Sequence, residues 1–303
     1  GMNVPDVSPE LPSRPWRLLL AGLARLPQGA LSRGLGRLAD MPIPRPLRRP
    51  VLGAFARTVG ADIAEAELPL EEYPTLDAFF VRRLRPGARS WSGGPGTAGS
   101  PVDGVAGQSG RIEAGQLVQA KGRLYTAAAL LGDAAQAARF DGGAFLTIYL
   151  SPRHYHRIHA PCDGAIALAR HIPGGLLPVN SPAVAHVAEL FARNERLVCY
   201  IDGALGRMAV VAVGAYNVGR ISAAFDPAWG GGAGGAVTNR RRPVEPVRRY
   251  EPPVAVRAGE EIMAFHLGST VVLLLEPGRA TLRPALRPGT ELRLGEVVVY
   301  SAG

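Results

Sequence analysis

Lysine is nearly absent from this 303-residue chain: Lys121 stands alone, and the rest of its 34 basic residues are arginine. Cysteine is almost as scarce. Only Cys162 and Cys199 occur, in a spacing that makes neither a zinc set nor a disulfide framework, which points to a reducing compartment. Aromatic residues are 6% of the chain and do not interleave with the arginines. With no helix-turn-helix, RNP or OB signature either, the basic excess is not read as nucleic-acid binding. Long apolar runs are missing too. A spanning helix needs ~18 to 20 such residues, and the nearest stretch, 197–215, is broken by Asp202 and Arg207. The first fifteen residues carry Pro5, Pro9, Pro12 and Pro15 and no apolar centre, unlike a signal peptide. Contact with a bilayer is therefore expected to be peripheral.

Hydrophobic residues make up 47% of the chain, enough for a substantial core in one large domain with an appendage, or in two domains. Part of the net charge of +9 is concentrated at the start, where nine arginines from Arg14 to Arg57 face only Asp6, Glu10 and Asp40. Three short helices are predicted there: Trp16–Leu26, ended by Pro27; Gln28–Leu38, with Leu31, Leu35 and Leu38 on one face; and a third from near Pro46, with Leu47, Val51 and Phe55 inward. Amphipathic helices with arginine on the polar face suit an anionic membrane surface. Packing on the main body with the arginines in water is the other reading. A further helix, Tyr73 to Leu84, has Thr75 as its N-cap and Leu76, Phe79, Phe80 and Leu84 as its apolar face.

Past Pro86 the composition shifts to glycine and serine, so a boundary is expected near residue 90. Residues 1–90 form a helical, membrane-associating region and 91–303 a β-rich domain. Strands are predicted at 104–114, 145–150, 197–201, 208–213, 271–275 and 297–300. Arg123 to Ala138 reads as one short helical insert, and 224–248 as a Gly- and Arg-rich loop.

Three stretches carry possible chemistry. Gly268-Ser269-Thr270 runs into the apolar Val271–Leu275, so Ser269 stands where a buried strand begins and its hydroxyl can attack the preceding carbonyl if a base reaches it. A plain turn before a strand would look the same. Asp103 lies in Pro101-Val-Asp-Gly104, either a hairpin corner or an aspartate held to orient an imidazole. His154, His156 and His159 fall within Tyr149 to Pro161. Their spacing, even with Cys162 and Asp163, matches no standard metal set, and acid–base work fits them better. Together Asp103, the His156/His159 pair and Ser269 have the makings of a Ser-His-Asp constellation.

These stretches and their flanks resemble one family, the pyruvoyl-dependent phosphatidylserine decarboxylases of prokaryotic type. The resemblance rests on Leu267-Gly-Ser-Thr270, Pro101-Val-Asp-Gly104, Ala120-Lys-Gly122, Tyr149 to Pro161, Leu190-Phe-Ala-Arg-Asn-Glu-Arg196 and Phe79-Phe-Val-Arg-Arg-Leu84, in consistent order across about residues 70 to 300.

The resemblance implies that Asp103 orients His159, that His159 draws the proton from Ser269, and that the alkoxide attacks the Gly268 carbonyl. The chain then splits after Gly268 and Ser269 becomes a pyruvoyl group, the covalent cofactor. That ketone takes the serine amine of phosphatidylserine and supplies the electron sink that loss of CO₂ requires. His156 is implied as the acid that returns a proton to the former α-carbon, giving phosphatidylethanolamine. The implied fold is α+β: N-terminal amphipathic helices on a mainly antiparallel β core shared by the large and small chains after cleavage. The implied place is peripheral, on the cytoplasmic face of the cell membrane, with a homodimer left open and no metal expected. Two other enzymes remain open: a soluble pyruvoyl-dependent decarboxylase of a free amino acid, and a serine hydrolase using Asp103, His159 and Ser269. A non-enzymatic membrane adaptor would use the basic helices alone.

Overall fold

The computed structural model describes residues 34 to 302 apart from 35, 121, 178, 180–182, 185–186, 216–219, 230–237, 239–245, 267–268 and 285, and gives Ala120 and Ser269 as backbone only. The expected helix Trp16–Leu26, most of Gln28–Leu38, Lys121, most of the 224–248 loop and Gly268 lie outside the described residues. Among the described residues the α-helices with defined bounds are α1 (Arg45–Val59), α2 (Leu76–Phe80), α3 (Ala127–Leu131), α4 (Ala134–Ala138) and α5 (Leu190–Arg193). The strands are β1 (Thr97–Gly99), β2 (Gly104–Arg111), β3 (Gln116–Ala120), β4 (Arg123–Thr126), β5 (Ala144–Leu150), β6 (Arg157–His159), β7 (Gly164–Ile172) and β8 (Arg196–Gly203). They continue with β9 (Gly206–Val213), β10 (Ile221–Ala223), β11 (Val247–Val256), β12 (Glu261–Phe265), β13 (Ser269–Leu275), β14 (Ala280–Leu282), β15 (Glu291–Leu292) and β16 (Val297–Ser301).

Eight strands form the main sheet in the order β11-β7-β8-β9-β13-β5-β2-β15, all neighbours antiparallel. The fold is thus α+β, with helices ahead of a mainly antiparallel core. β13 lies inside this sheet, paired with β5 on one edge and β9 on the other, and Thr270 to Leu275 are wholly buried. Val271, Leu273 and Leu275 pack on one face with Leu146, Ile148 and Val210, while Val272 and Leu274 pack on the other with Phe145 and Val211. Burial on both faces is why this segment reads as an unbroken apolar run with no alternation.

A second sheet, β10-β12-β6, is joined to the first by several chain connections, and two of them bear on the site. One is 151–156, from β5 to β6; the other is 266–268, from β12 to β13.

α2 forms as its sequence predicts, with the Thr75 hydroxyl accepting from Ala78 N at 3.0 Å, but it stops at Phe80 and does not reach Leu84. α1 turns differently from expectation. Leu52 and Ala56 are buried with Tyr73 and Phe79, and Phe55 packs edge-on at 6.3 Å from Phe79, whereas Leu47 and Val51 stay exposed. The helix carries two apolar stripes, and the aromatic pair from the α2 region selects the one beside Phe55. The expected helical insert 123–138 is also corrected. Its first four residues are β4, paired with β3, and two short helices follow, because Gly132 takes a left-handed conformation that ends α3 and Asp133 caps α4. Gly164–Ile172, Ile221–Ala223 and most of Val247–Val256 are strands that the sequence pattern did not single out.

The Asn194-Glu-Arg196 triplet stitches the fold. Asn194 is buried, accepts from Leu177 N at 3.0 Å and donates to Leu177 O at 2.9 Å and Gly214 O at 2.8 Å. Arg196 reaches the carbonyls of Leu130 and Ala129 at the end of α3, and Glu195 bonds His171 at 2.8 Å. Asn194→Ala would strand three buried backbone groups. With each costing about 1 kcal/mol or more, the unfolding free energy measured in urea is expected to fall by at least about 3 kcal/mol.

Candidate active site

The connections 151–156 and 266–268 set the geometry. At one end Ser269 pairs with Leu150 across β13 and β5. At the other, Ala264 pairs with Arg157 and Phe265 N donates to His156 O at 2.9 Å. The histidine segment 151–156 is therefore bounded by a pairing to Ser269 at one end and a hydrogen bond from Phe265 at the other, the described residues on either side of the expected scissile bond. Register, and not sequence proximity, joins residues more than a hundred positions apart.

Each histidine in this region has a distinct hydrogen-bond pattern. His154 Nδ1 accepts from Ser151 N at 2.9 Å, so the neutral ring carries its proton on Nε2, which faces Glu291 at 3.7 Å. His156 is fully buried beneath the Phe80 ring, with centroids 4.1 Å apart. Its Nδ1 donates to His154 O at 2.7 Å, and the buried Nε2 lone pair of the neutral ring has no partner among the described residues. Burial, helped by the charges of Arg82 and His154, pushes this imidazole down to about 3, against the opposing pull of its carbonyl bond. His159 is satisfied on both sides: Nδ1 donates to Gly259 O at 2.7 Å and Nε2 accepts from the Tyr155 hydroxyl at 2.9 Å. Burial lowers its basicity as well.

Asp103 lies close by, since His159 N donates to Pro101 O at 2.9 Å. Gly104 lets β2 start against β5; a Cβ there would stand 2.6 Å from Tyr149 O. Yet the expected Asp103–His159 hydrogen bond is not formed. Asp103 Oδ1 accepts from Leu294 N at 2.8 Å and from Arg89 Nε at 2.9 Å, and Oδ2 accepts from the second Arg89 nitrogen. Arg89 is held in turn by both oxygens of Glu65 at 2.8 Å. A bidentate arginine outcompetes a neutral imidazole for a carboxylate, which accounts for the difference. The hydrogen bonds from Asp103 hold the Arg89 proton most strongly and raise its affinity despite burial.

A second acid–histidine contact escaped the sequence reading. His266, one residue before the undescribed 267–268, sets Nδ1 2.9 Å from Asp77 of α2 and Nε2 3.3 Å from the Ser222 hydroxyl. Arg220 approaches Asp77 at 3.1 Å and Asp40 at 2.6 Å. Burial alone would raise the Asp77 carboxyl, but bonds and charge from His266 and Arg220 outweigh it and hold it below its ordinary value. In the sequence Asp77 is simply an acid in the first turn of a helix. Arg89 and Tyr155 gave no pattern either; only the crossing of distant segments reveals them.

Comparison with known proteins fits this arrangement. A family model described as phosphatidylserine decarboxylase matches residues 76–300. The chain belongs to the phosphatidylserine decarboxylase family. A protein of Anaeromyxobacter sp. (strain K) named phosphatidylserine decarboxylase proenzyme is 49% identical over 282 residues, 92% of this chain and 97% of that one. Proteins of the same name from Myxococcus xanthus and Azotobacter vinelandii are 44% and 43% identical, covering 89% and 93% of this chain and 94% and 97% of their own. This phosphatidylserine decarboxylase family member is therefore an enzyme, and the matched region holds Asp77, Asp103, the three histidines and Ser269.

Neutral burial of His156 has a pH signature. The unfolded chain takes a proton on this ring from about 6.5 downward, the folded chain only near 3, so stability is complete above 6.5 and falls on acidification between those values. His156→Leu is expected to flatten the dependence of the urea midpoint by about one proton between roughly pH 4 and 6. An unchanged slope would show that the ring is charged or solvated in the folded state.

Proposed function

We propose that this protein is a proenzyme that cuts itself between Gly268 and Ser269, turns Ser269 into a pyruvoyl group and decarboxylates phosphatidylserine to phosphatidylethanolamine. The observation that carries this reading is the register: Ser269 opens the buried β13 opposite Leu150, where the histidine segment begins, and a fully buried imidazole lone pair lies on that segment. The names of the relatives support the substrate and the precursor state.

In the precursor His159 draws the Ser269 proton once its Nε2 exchanges the Tyr155 hydroxyl for that of Ser269. The Ser269 oxygen bonds to the Gly268 carbonyl carbon, the amide C–N bond breaks, and the proton passes to the freed amine. Elimination of the resulting ester releases the large chain at Gly268. Hydrolysis of the remaining dehydroalanine frees ammonia. Asp103 acts on His159 through its field, because its oxygens are held by Arg89 and Leu294 N. A pyruvoyl carbonyl at position 269 would supply the electron sink for CO₂ loss. His156, kept neutral by burial, takes a proton released from the substrate amine and returns it to the α-carbon after CO₂ departs.

After cleavage the ladders from β13 to β5 and β9 hold the small chain in place. The N-terminal region brings the site to the bilayer. On α1 the exposed Leu47 and Val51 alternate with the exposed Arg45 and Arg49, and Leu38 and Met41 extend the apolar surface, a composition suited to the anionic cytoplasmic face of the cell membrane.

Denaturing mass spectrometry tests the core of this reading: wild type yields a fragment of residues 269–303 with a ketone in place of its amine. Ser269→Ala stays whole and releases no CO₂ from phosphatidylserine vesicles; a cut product from that variant refutes the assignment. His159→Ala remains uncut, whereas His156→Ala is cut but loses turnover by about 100-fold or more. The opposite pattern would exchange the two histidine roles. Activity on free serine but not on vesicles would point to a soluble amino-acid decarboxylase. Replacing Leu47 and Val51 together by glutamate is expected to weaken sedimentation with anionic vesicles without blocking cleavage.

A further inference from the structure

Arg82 is a buried cation with an unanswered donor. It follows α2 in the chain, is 4% exposed, and its guanidinium lies 5.0 Å from the Phe79 ring centroid. Among the described residues its Nε is buried without a hydrogen-bond partner, and its guanidinium makes a long 3.5 Å contact to Arg153 O. The acids near it are committed elsewhere: Asp103 and Glu65 both bind Arg89, and no carboxylate comes within salt-bridge distance of Arg82 among the described residues. A buried charge with an open donor is costly unless something completes it.

The same place holds two more orphans. Arg82 and His154 line one cavity of about 520 Å³, and His154 Nε2 is likewise buried without a hydrogen bond. Next to them lies His156, tied to the His154 carbonyl, with its open Nε2 lone pair. Glu291 stands 3.7 Å from His154 Nε2, beyond hydrogen-bond distance, so both N–H donors in the cavity can still take an anionic oxygen. The neighbouring lone pair calls for an N–H. A lipid head group carrying a phosphodiester anion and an amine presents both.

We propose that this cavity is the head-group anion site of the enzyme, in which Arg82 and the Nε2–H of His154 bind the phosphodiester oxygens of the lipid. The inference rests on the function proposed above and names where that substrate is gripped. The substrate carboxylate is the poorer occupant. Its charge leaves it as CO₂ forms, so a cation holding it would stabilise the ground state more than the transition state and slow the reaction. The phosphodiester keeps its charge throughout, and gripping it is uniform binding that shows in KM and not in kcat.

The test starts with wild-type enzyme on phosphatidylserine vesicles, where absence of CO₂ release would count against the underlying function and not against this site. With activity in hand, glycerophosphoethanolamine is expected to inhibit at least tenfold more strongly than ethanolamine, since only the former carries the anion. Equal inhibition overturns the proposal without recourse to any variant. Arg82→Gln, checked by mass for normal self-cleavage, is expected to raise KM about tenfold or more with kcat within about twofold, and to lose the preference for glycerophosphoethanolamine. Arg82→Lys should restore part of both. A fall in kcat at constant KM, or an unchanged KM, would overturn the assignment, and if Arg82→Gln does not process, the inhibitor comparison on wild type decides alone.

Discussion

The two-sided pairing of β13 is the constraint on which the rest depends. If the chain is cut as proposed, at the mouth of this strand, nothing covalent remains to keep the strand in place. Here the ladders to β5 and β9 satisfy the backbone on both edges from Thr270 to Leu275, and the side chains are buried on both faces. Burying five aliphatic side chains, each contributing roughly 1.5 to 3 kcal/mol, makes dissociation of the small chain costly. The same pairing fixes Ser269 opposite Leu150, so the element that retains the fragment also aligns its first residue with the histidine segment.

α2 is the second organising element, although it has only five residues. Phe79 anchors it in the helical cluster with Leu52, Ala56 and Tyr73, while Phe80 seals His156 from water. Just after it Val81 O accepts from Arg157, and within it Asp77 reaches His266 beside the expected cut. One short helix thus touches both of the connections that bear on the site. Its position couples packing of the N-terminal helices to the geometry of the site.

Electrostatics in this region are divided between saturated and open groups. Arg89 is fully committed to Asp103 and Glu65, and His159 is bonded on both nitrogens. His156, His154 and Arg82 each keep an open, buried polar atom. Such atoms are costly to bury, and the three that lie together are the ones the proposed head-group site would satisfy. Burial keeps the His156 ring neutral, so its proton affinity is available to chemistry and not spent on a structural ion pair.

Much of this was legible in the residues. The apolar run after Ser269, the Thr75 cap, the histidine segment and the six long-range strands announced themselves through period, capping chemistry and composition, which are local properties. Other features depended on partners far along the chain: which stripe of α1 faces inward, that Arg89 and not His159 takes Asp103, that Asp77 meets His266, and that Arg82 is left open. The sequence by itself determined the candidate residue types and the strand that begins at Ser269, because side-chain chemistry and hydrophobic period are written locally. Only the tertiary structure decided which of those groups meet and which stay unpaired, because antiparallel register joins segments more than a hundred residues apart and competition for each hydrogen bond is settled in three dimensions.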